Sequence, residues 1–327
     1  MTELISSIPA WVAILLGLVG LVWGADRFVA GSAATARNLG MSPLVIGLTI
    51  VSIGTSAPEI IVAINAALSG SGELAVGNAL GSNLANIGLV LGITALVAPL
   101  PTQPHLIKQE GPALLLVTLV AGILLMNNYL SRLDGVILLG LLVPLLWFTL
   151  SKKRGELSPA EVAEELEEIP TLGTAPAMGW LLLGLATLLL GSEFLVNGAT
   201  RTAQALGVSE LVIGLTVVAV GTSLPELATS IVSALRGHHD IALGNIFGSN
   251  LFNLLAVMSM PGLIAPLALE PQVFNRDFAA MALLTGLLLI GVIWSLRKRS
   301  GAQRSGRLGR RFGVLLVILY GAYYTLL

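Results

Sequence analysis

One stretch of eighteen residues occurs twice in this chain. Moving along by 167 positions lays SPLVIGLTIVSIGTSAPE (42–59) onto SELVIGLTVVAVGTSLPE (209–226), with thirteen of the eighteen positions identical. The same offset carries GNALGSNLAN (77–86) onto GNIFGSNLFN (244–253) without a gap. The 327 residues are therefore two copies of one unit, and the fold must be built twice. Duplication kept only for folding does not explain why the best-matched stretches are the polar ones.

Everything around those stretches is apolar. The chain is 55% hydrophobic and 11% charged, with a mean hydropathy of +0.90. Soluble chains carry ~25% charged residues, so a water-exposed globule and a disordered chain are both excluded. A net charge of −1 gives no field for polyanions, which excludes a nucleic-acid binder. The absence of cysteine excludes a disulfide framework, thiolate metal sites and cysteine nucleophiles, and leaves the redox compartment open. An integral membrane protein remains. Met1 to Pro9 carries Glu3 and no Lys or Arg, and the apolar run from Trp11 continues too far for a cleavable signal.

At ~20 residues per span, the apolar runs give ten spans. They fall at 9–31, 42–69, 74–99, 110–127, 132–150, 177–199, 208–235, 241–266, 278–296 and 311–327. Residues 1–150 form the first repeat, 151–176 a linker and 177–327 the second repeat. Each repeat has five spans, an odd number, so the two copies sit in opposite orientations. Inverted repeats are the architecture of secondary transporters, with the substrate site near the midplane where the halves meet. The expected fold is an all-α membrane protein of ten helices in two inverted five-helix repeats.

The loops set an orientation. With the N-terminus outside, the cytoplasmic side holds fourteen of the seventeen Lys and Arg, leaving only Arg132, Arg201 and Arg276 outside. Positive charge is retained on the cytoplasmic side, so both termini are expected to face away from it, in the cell's inner (plasma) membrane. The linker from Ser151 to Pro176 is then cytoplasmic. Within it Ser158-Pro159-Ala160-Glu161 reads as a capping box that starts a short helix. Glu161, Glu164, Glu165, Glu167 and Glu168 read as the solvated face of that helix, and the Arg-rich 297–311 loop as a topology determinant touching anionic lipid.

Glu59 and Glu226 sit near the middles of the second and seventh spans. A charge at the bilayer centre costs ~2.5–3.5 kcal/mol on insertion scales, so two at equivalent positions need protons or cations. Asp26/Glu193, Glu73/Asp240 and Glu110/Asp277 are also paired by the offset, but near span ends, where interfacial solvation suffices. Pro58 lacks an N–H and releases the carbonyl of Gly54, and Pro225 does the same to Gly221. Each Gly-Thr-Ser-X-Pro-Glu run is therefore expected to be a broken helix with bare backbone oxygens beside a carboxylate, which the membrane tolerates only around a cavity or inside protein. Thr55 and Thr222 lie four residues before the glutamates, on the same face. Asn78, Ser82 and Asn86 form one polar stripe, and Asn245, Ser249 and Asn253 repeat it. Gly77/Gly81 and Gly244/Gly248 are small-xxx-small pairs for close helix approach. For Asn83 and Asn250, bonding between helices is as good an account as a place in the site. Carboxylates, hydroxyls, amide oxygens and freed carbonyls make a hard, all-oxygen site suited to Ca²⁺ or Na⁺.

On these residues the chain resembles a known family. The paired GTSAPE…GNALGSNLAN and GTSLPE…GNIFGSNLFN runs look like the two α-repeats of the cation/Ca²⁺ exchanger superfamily, most of all its prokaryotic sodium/calcium exchanger members. The resemblance implies ten helices in an inverted five-plus-five topology and alternating access by sliding of the first and sixth helices. It implies cation ligands at Glu59, Glu226, Ser82 and Ser249. Further ligands would be Asn86, Thr55, Ser56, Thr222, Ser223 and the backbone oxygens of Ser52 and Ala219. The GTS motif, where the proton-coupled branch has Asn after the glycine, argues for sodium coupling. The 26-residue linker leaves no room for regulatory calcium-binding domains. Asn253 stands where sodium/calcium exchangers usually carry Asp, which lowers the formal site charge from −3 to −2. It puts the stoichiometry, and the physiological ion, in question.

The reading is a secondary active antiporter, Na⁺ against Ca²⁺, with no cofactor and no protein partner implied. The nearest rival is a proton/cation antiporter of the same fold, since either glutamate could carry a proton. An intramembrane carboxylate-dyad enzyme is more distant, because such dyads are normally Asp and leave the Ser/Asn stripes without a use. A serine hydrolase fails because His105, His238 and His239 lie in loops. A channel does not need near-symmetric inverted halves. The orientation is directly testable. Cysteines placed at Ser71 and Gln272 should react with an impermeant thiol reagent added outside cells, whereas cysteines at Ser158 and Ser305 should not; the reverse pattern overturns it.

Overall fold

The computed structural model describes residues 7–156, 172–207, 219–297 and 306–326. The linker's expected capping-box helix, its acidic run and most of the Arg-rich loop lie outside the described residues. Among the described residues, ten helical segments follow in the expected order. The first repeat holds α1 (Ala10–Leu39), α2 (Leu44–Thr55 and Ala57–Leu68), α3 (Gly72–Val97), α4 (Leu106–Leu125) and α5 (Arg132–Glu156). The second holds α6 (Thr174–Ala205), α7 (Ala219–Thr222 and Leu224–Leu235), α8 (His239–Ile264), α9 (Val273–Arg297) and α10 (Arg310–Tyr324). Among the described residues, six unbroken helices are long and apolar enough to span a bilayer, and the bent α2 makes seven. Of the others, α7 is broken and its start lies outside the described residues, and α10 has 15 residues.

The repeat recurs in the backbone. Gly40 and Gly207, 167 apart, end α1 and α6 with φ of +61° and +78°. Gly70 and Gly237, again 167 apart, end α2 and α7 at +78° and +83°. Glycine takes this left-handed conformation without the Cβ penalty, so it stops a helix cleanly. Two helix boundaries in the sequence reading were too short for this reason. Hydropathy fades at 31 and 199, but the helices continue through polar formers to Leu39 and Ala205. At 30 and 32 residues, α1 and α6 exceed the ~20 that a span requires. π-helical turns also repeat, at Asn86–Leu91 with Asn253–Val257 and at Leu106–Glu110 with Val273–Phe278.

α1 and α6 lie against each other along a glycine seam. Gly17, Gly24 and Gly31 face Leu195, Leu188 and Leu181, while Gly184, Gly191 and Gly198 face Phe28, Leu21 and Ala10. The two sets are 167 apart, and each glycine sits where a Cβ would collide with the other backbone. At Gly191 it would lie 2.6 Å from the Leu21 amide nitrogen. Behind this pair, α8 is enclosed along its whole apolar length and touches α2 at Gly47 and Gly244. There a Cβ on Gly244 would come within 3.0 Å of the Gly47 Cα, so the expected close approach holds for the second repeat. The residues facing Gly77 and Gly81 by symmetry, around Gly214, lie outside the described residues.

The loops add strands the sequence did not announce. β1 (Leu100–Thr102) pairs antiparallel with β4 (Gly306–Leu308), and β2 (Tyr129–Leu130) with β3 (Leu267–Ala268). Both pairs join one repeat to the other. Overpacking a tight contact costs about 1–3 kcal/mol or more. Gly191→Leu should therefore destabilise the detergent-solubilised protein, read as a lower melting temperature and loss of the monodisperse peak. Gly179→Leu, on an exposed part of the same helix, should change neither.

Candidate functional site

Both breaks fall on a serine. α2 interrupts at Ser56 (φ −84°, ψ 5°) and bends by 43°, and α7 interrupts at Ser223 (φ −90°, ψ 4°). Pro58 and Pro225 then occupy the first turn of the following half-helix, where a missing N–H costs nothing. That places Glu59 and Glu226 in the same first turns, where unpaired amides and the helix dipole favour a carboxylate. Each is only 1% exposed.

The two halves hold their glutamates alike and then share them. Asn78 donates to the Glu59 carbonyl at 3.4 Å, and its counterpart Asn245 donates to the Glu226 carbonyl at 3.4 Å. Ser56 Oγ, from the first repeat, donates to Glu226 Oε1 at 3.2 Å. Thr55 Oγ1 donates to Asn245 Oδ1 at 3.2 Å, joined there by Ser249 Oγ at 3.5 Å. Asn245 also reaches Ser230 Oγ at 3.0 Å. Asn83 Nδ2 bonds across to the Asn250 carbonyl at 3.2 Å, while Asn250 Nδ2 bonds back within α8 to Ile246 at 2.7 Å.

Several buried atoms have no hydrogen-bond partner among the described residues. They include Glu59 Oε2, Glu226 Oε2, Ser223 Oγ and both amide atoms of Asn86 and Asn253. Buried polar atoms are normally satisfied, so this concentration is itself a signal. Asn86 and Asn253 each open a π-helical turn, a distortion frequent at functional sites. Ser82, buried to 4% exposure, lies one turn before Asn86, as Ser249 does before Asn253. The carbonyl of Ser52 accepts the Ser56 amide at 2.9 Å and the Thr55 hydroxyl at 3.4 Å. Ala219 is the first described residue of α7, and its side chain lies outside the description. No cluster of three or more His, Cys, Asp or Glu occurs among the described residues, so this centre has two carboxylates and otherwise neutral oxygens. That donor set fits hard cations such as Na⁺ and Ca²⁺.

One expectation is corrected. The Gly221 carbonyl released by Pro225 is not bare: Ser192 Oγ, on α6, donates to it at 2.9 Å. The acidic pairs assigned to interfacial solvation also have partners. Asp26 is gripped by Arg236 through Nε at 2.9 Å and through Nη2. Glu110, 4% exposed, meets His105 at 3.2 Å, and Asp277 meets Arg276 at 2.7 Å. Asp240 accepts from Gln103 at 3.1 Å, and Glu73 from the Glu270 amide at 3.2 Å.

Glu193, exposed, lines a cavity of about 490 Å³ between α6 and the two helix breaks. Ser192, Asn197, Thr200 and Arg201 line it from α6, and Pro58, Gly221 and Thr222 from the breaks. By the same offset Val22 and Asp26 of α1, the equivalents of Leu189 and Glu193, line a second cavity of about 510 Å³ that Val232 of α7 completes, whereas Ala25, Val29, Ala33 and Ala34 are fully buried. The sequence reading missed this stripe, although Glu193, Asn197 and Arg201 recur every four residues in an apolar helix.

The sequence profile of the family described as sodium/calcium exchanger protein matches residues 9–151 and 176–327. CaxA of Alkalimonas amylolytica is 45% identical over 323 residues, covering 97% of this chain and 98% of its own. The inner membrane protein YrbG of Escherichia coli K12 is 42% identical over 307 residues, covering 93% and 92%. Among solved structures, the sodium-calcium exchanger NCX_Mj superposes with a TM-score of 0.82 at 32% identity, covering 97% of each chain. The all-helical membrane fold with its broken helices matches that of NCX_Mj, and the chain belongs to the sodium/calcium exchanger family of membrane ion transporters, which are not enzymes.

Proposed function

We propose that this protein exchanges Na⁺ for Ca²⁺ by alternating access at a single site between the repeats. The observation that carries the reading is the pair Glu59 and Glu226, each buried with one carboxylate oxygen unpartnered among the described residues. The bond from Ser56 to Glu226 makes that site common to both repeats. The ligand set is Glu59, Glu226, Ser82, Ser249, Asn86, Asn253, Thr55, Thr222, Ser56 and Ser223, with the carbonyls of Ser52 and Ala219. Sodium rather than proton coupling is supported by the Thr-Ser after the glycine in both motifs and by the likeness to NCX_Mj. With Asn at 253, one Ca²⁺ or two Na⁺ neutralise the site, and a third Na⁺ leaves a buried positive charge. The protein is placed in the inner membrane with both termini outside, supported by the charge bias of the loops and the likeness to YrbG.

Counter-transport in proteoliposomes tests the exchange. Vesicles loaded with Na⁺ and diluted into ⁴⁵Ca²⁺ should accumulate the isotope, and a pH gradient in place of the sodium gradient should not drive uptake. Uptake driven by the pH gradient alone would assign the protein to proton coupling. Glu59→Gln and Glu226→Gln keep the side-chain shape but remove the charge that opposes the cation. Each should reduce uptake to the level of empty vesicles while the protein still purifies as a monodisperse species. Near wild-type exchange by either variant would remove that residue from the site.

A further inference from the structure

The hold on the Gly221 carbonyl breaks the symmetry of the two half-sites. A buried carbonyl needs a donor, and Pro225 cannot supply one. Ser192, 8% exposed, supplies it from α6. Its neighbours behave differently. Thr187 and Thr202 turn their hydroxyls back onto their own helix, to Leu183 and Gly198, each at 2.8 Å. Ser192 reaches across to another. In the first repeat the equivalent of Ser192 is Ala25, which has no hydroxyl to give. Gly54, the equivalent of Gly221, abuts the side chains of Phe28 and Leu185 instead.

We propose that Ser192 is a positioning residue for the second-repeat half of the cation site, a reading that rests on the site proposed above. Its hydroxyl anchors the Gly221 carbonyl and so fixes the break at Ser223 that orients Thr222, Ser223 and Glu226. Ser192, Gly221 and Thr222 line the same cavity, so the anchor stands in the cavity wall beside the break that carries Glu226. Because α6 packs along α1, the position of that helix pair is written into the geometry of one half-site and not the other. Removing the hydroxyl therefore weakens cation binding from the face where the cavity opens and leaves the opposite face unchanged.

The test compares wild type, Ser192→Ala and Ser192→Thr in right-side-out and inside-out membrane vesicles, titrating ⁴⁵Ca²⁺ on each face. A net hydrogen bond is worth about two- to tenfold in a binding constant. Ser192→Ala should raise the half-saturating Ca²⁺ by about that factor on the face bearing the α2–α3 turn, where the cavity opens. The other face and the maximal rate should stay at wild-type values, and Ser192→Thr, which keeps the hydroxyl, should restore the affinity. Equal shifts on both faces, a fall in maximal rate alone, or no shift would each overturn the role. The wild-type uptake reports on exchange itself, and the ratio of variant to wild type reports on Ser192, so the two proposals fail separately.

Discussion

Two carboxylates at the centre of a membrane protein cannot be left to lipid. The cost of holding Glu59 and Glu226 there organises the rest of the molecule. It calls for helices broken beside them, because an intact helix has no free polar groups to offer, and for enough protein around the breaks to exclude lipid from the exposed backbone. The broken α2 and α7, the enclosed α8 and the amide stripes of α3 and α8 are the answer, supplied twice. The Ser56–Glu226 bond ties the two repeats together at these carboxylates.

Much of this was readable in the residues. The offset of 167 identified the duplicated unit, the odd span count gave its inversion, and the proline after each Gly-Thr-Ser located the breaks. The identity of the central polar residues was equally plain, because a membrane interior selects against them unless they have a task. Other features left no such trace. The π-helical turns at Asn86 and Asn253 depend on how neighbouring helices press on a regular segment, and no residue type encodes that. The ends of α1 and α6 were missed because hydropathy marks where lipid stops, whereas a helix runs on to its glycine. Glu193 was discounted because a single acidic residue looks the same at an interface and on a cavity wall. Ser192 escaped for a related reason: serine is common in membrane helices, and its bond crosses to a residue 29 positions away.

The departures from symmetry are as informative as the repeat. Identical backbone devices, the paired glycine stops and the paired Asn-to-carbonyl bonds, define a common frame. Side chains then differentiate it: a polar wall on α6 stands opposite an alanine-lined face on α1, and an Asp26–Arg236 ion pair has no equivalent between Glu193 and Ser69. An ideal two-fold would make the two cavities alike. The real chain lines the cavity on α6 with several polar side chains and the one on α1 almost entirely with apolar ones.

The short strands in the loops have a consequence for the integrity of the molecule. β1 with β4, and β2 with β3, are knots tied between the halves. The linker that joins 150 to 177 in the chain is therefore not what keeps the halves together in space. Severed there, the two five-helix units would still be stitched at both pairs of loops and along the glycine seam. These contacts between the halves do not run through the linker.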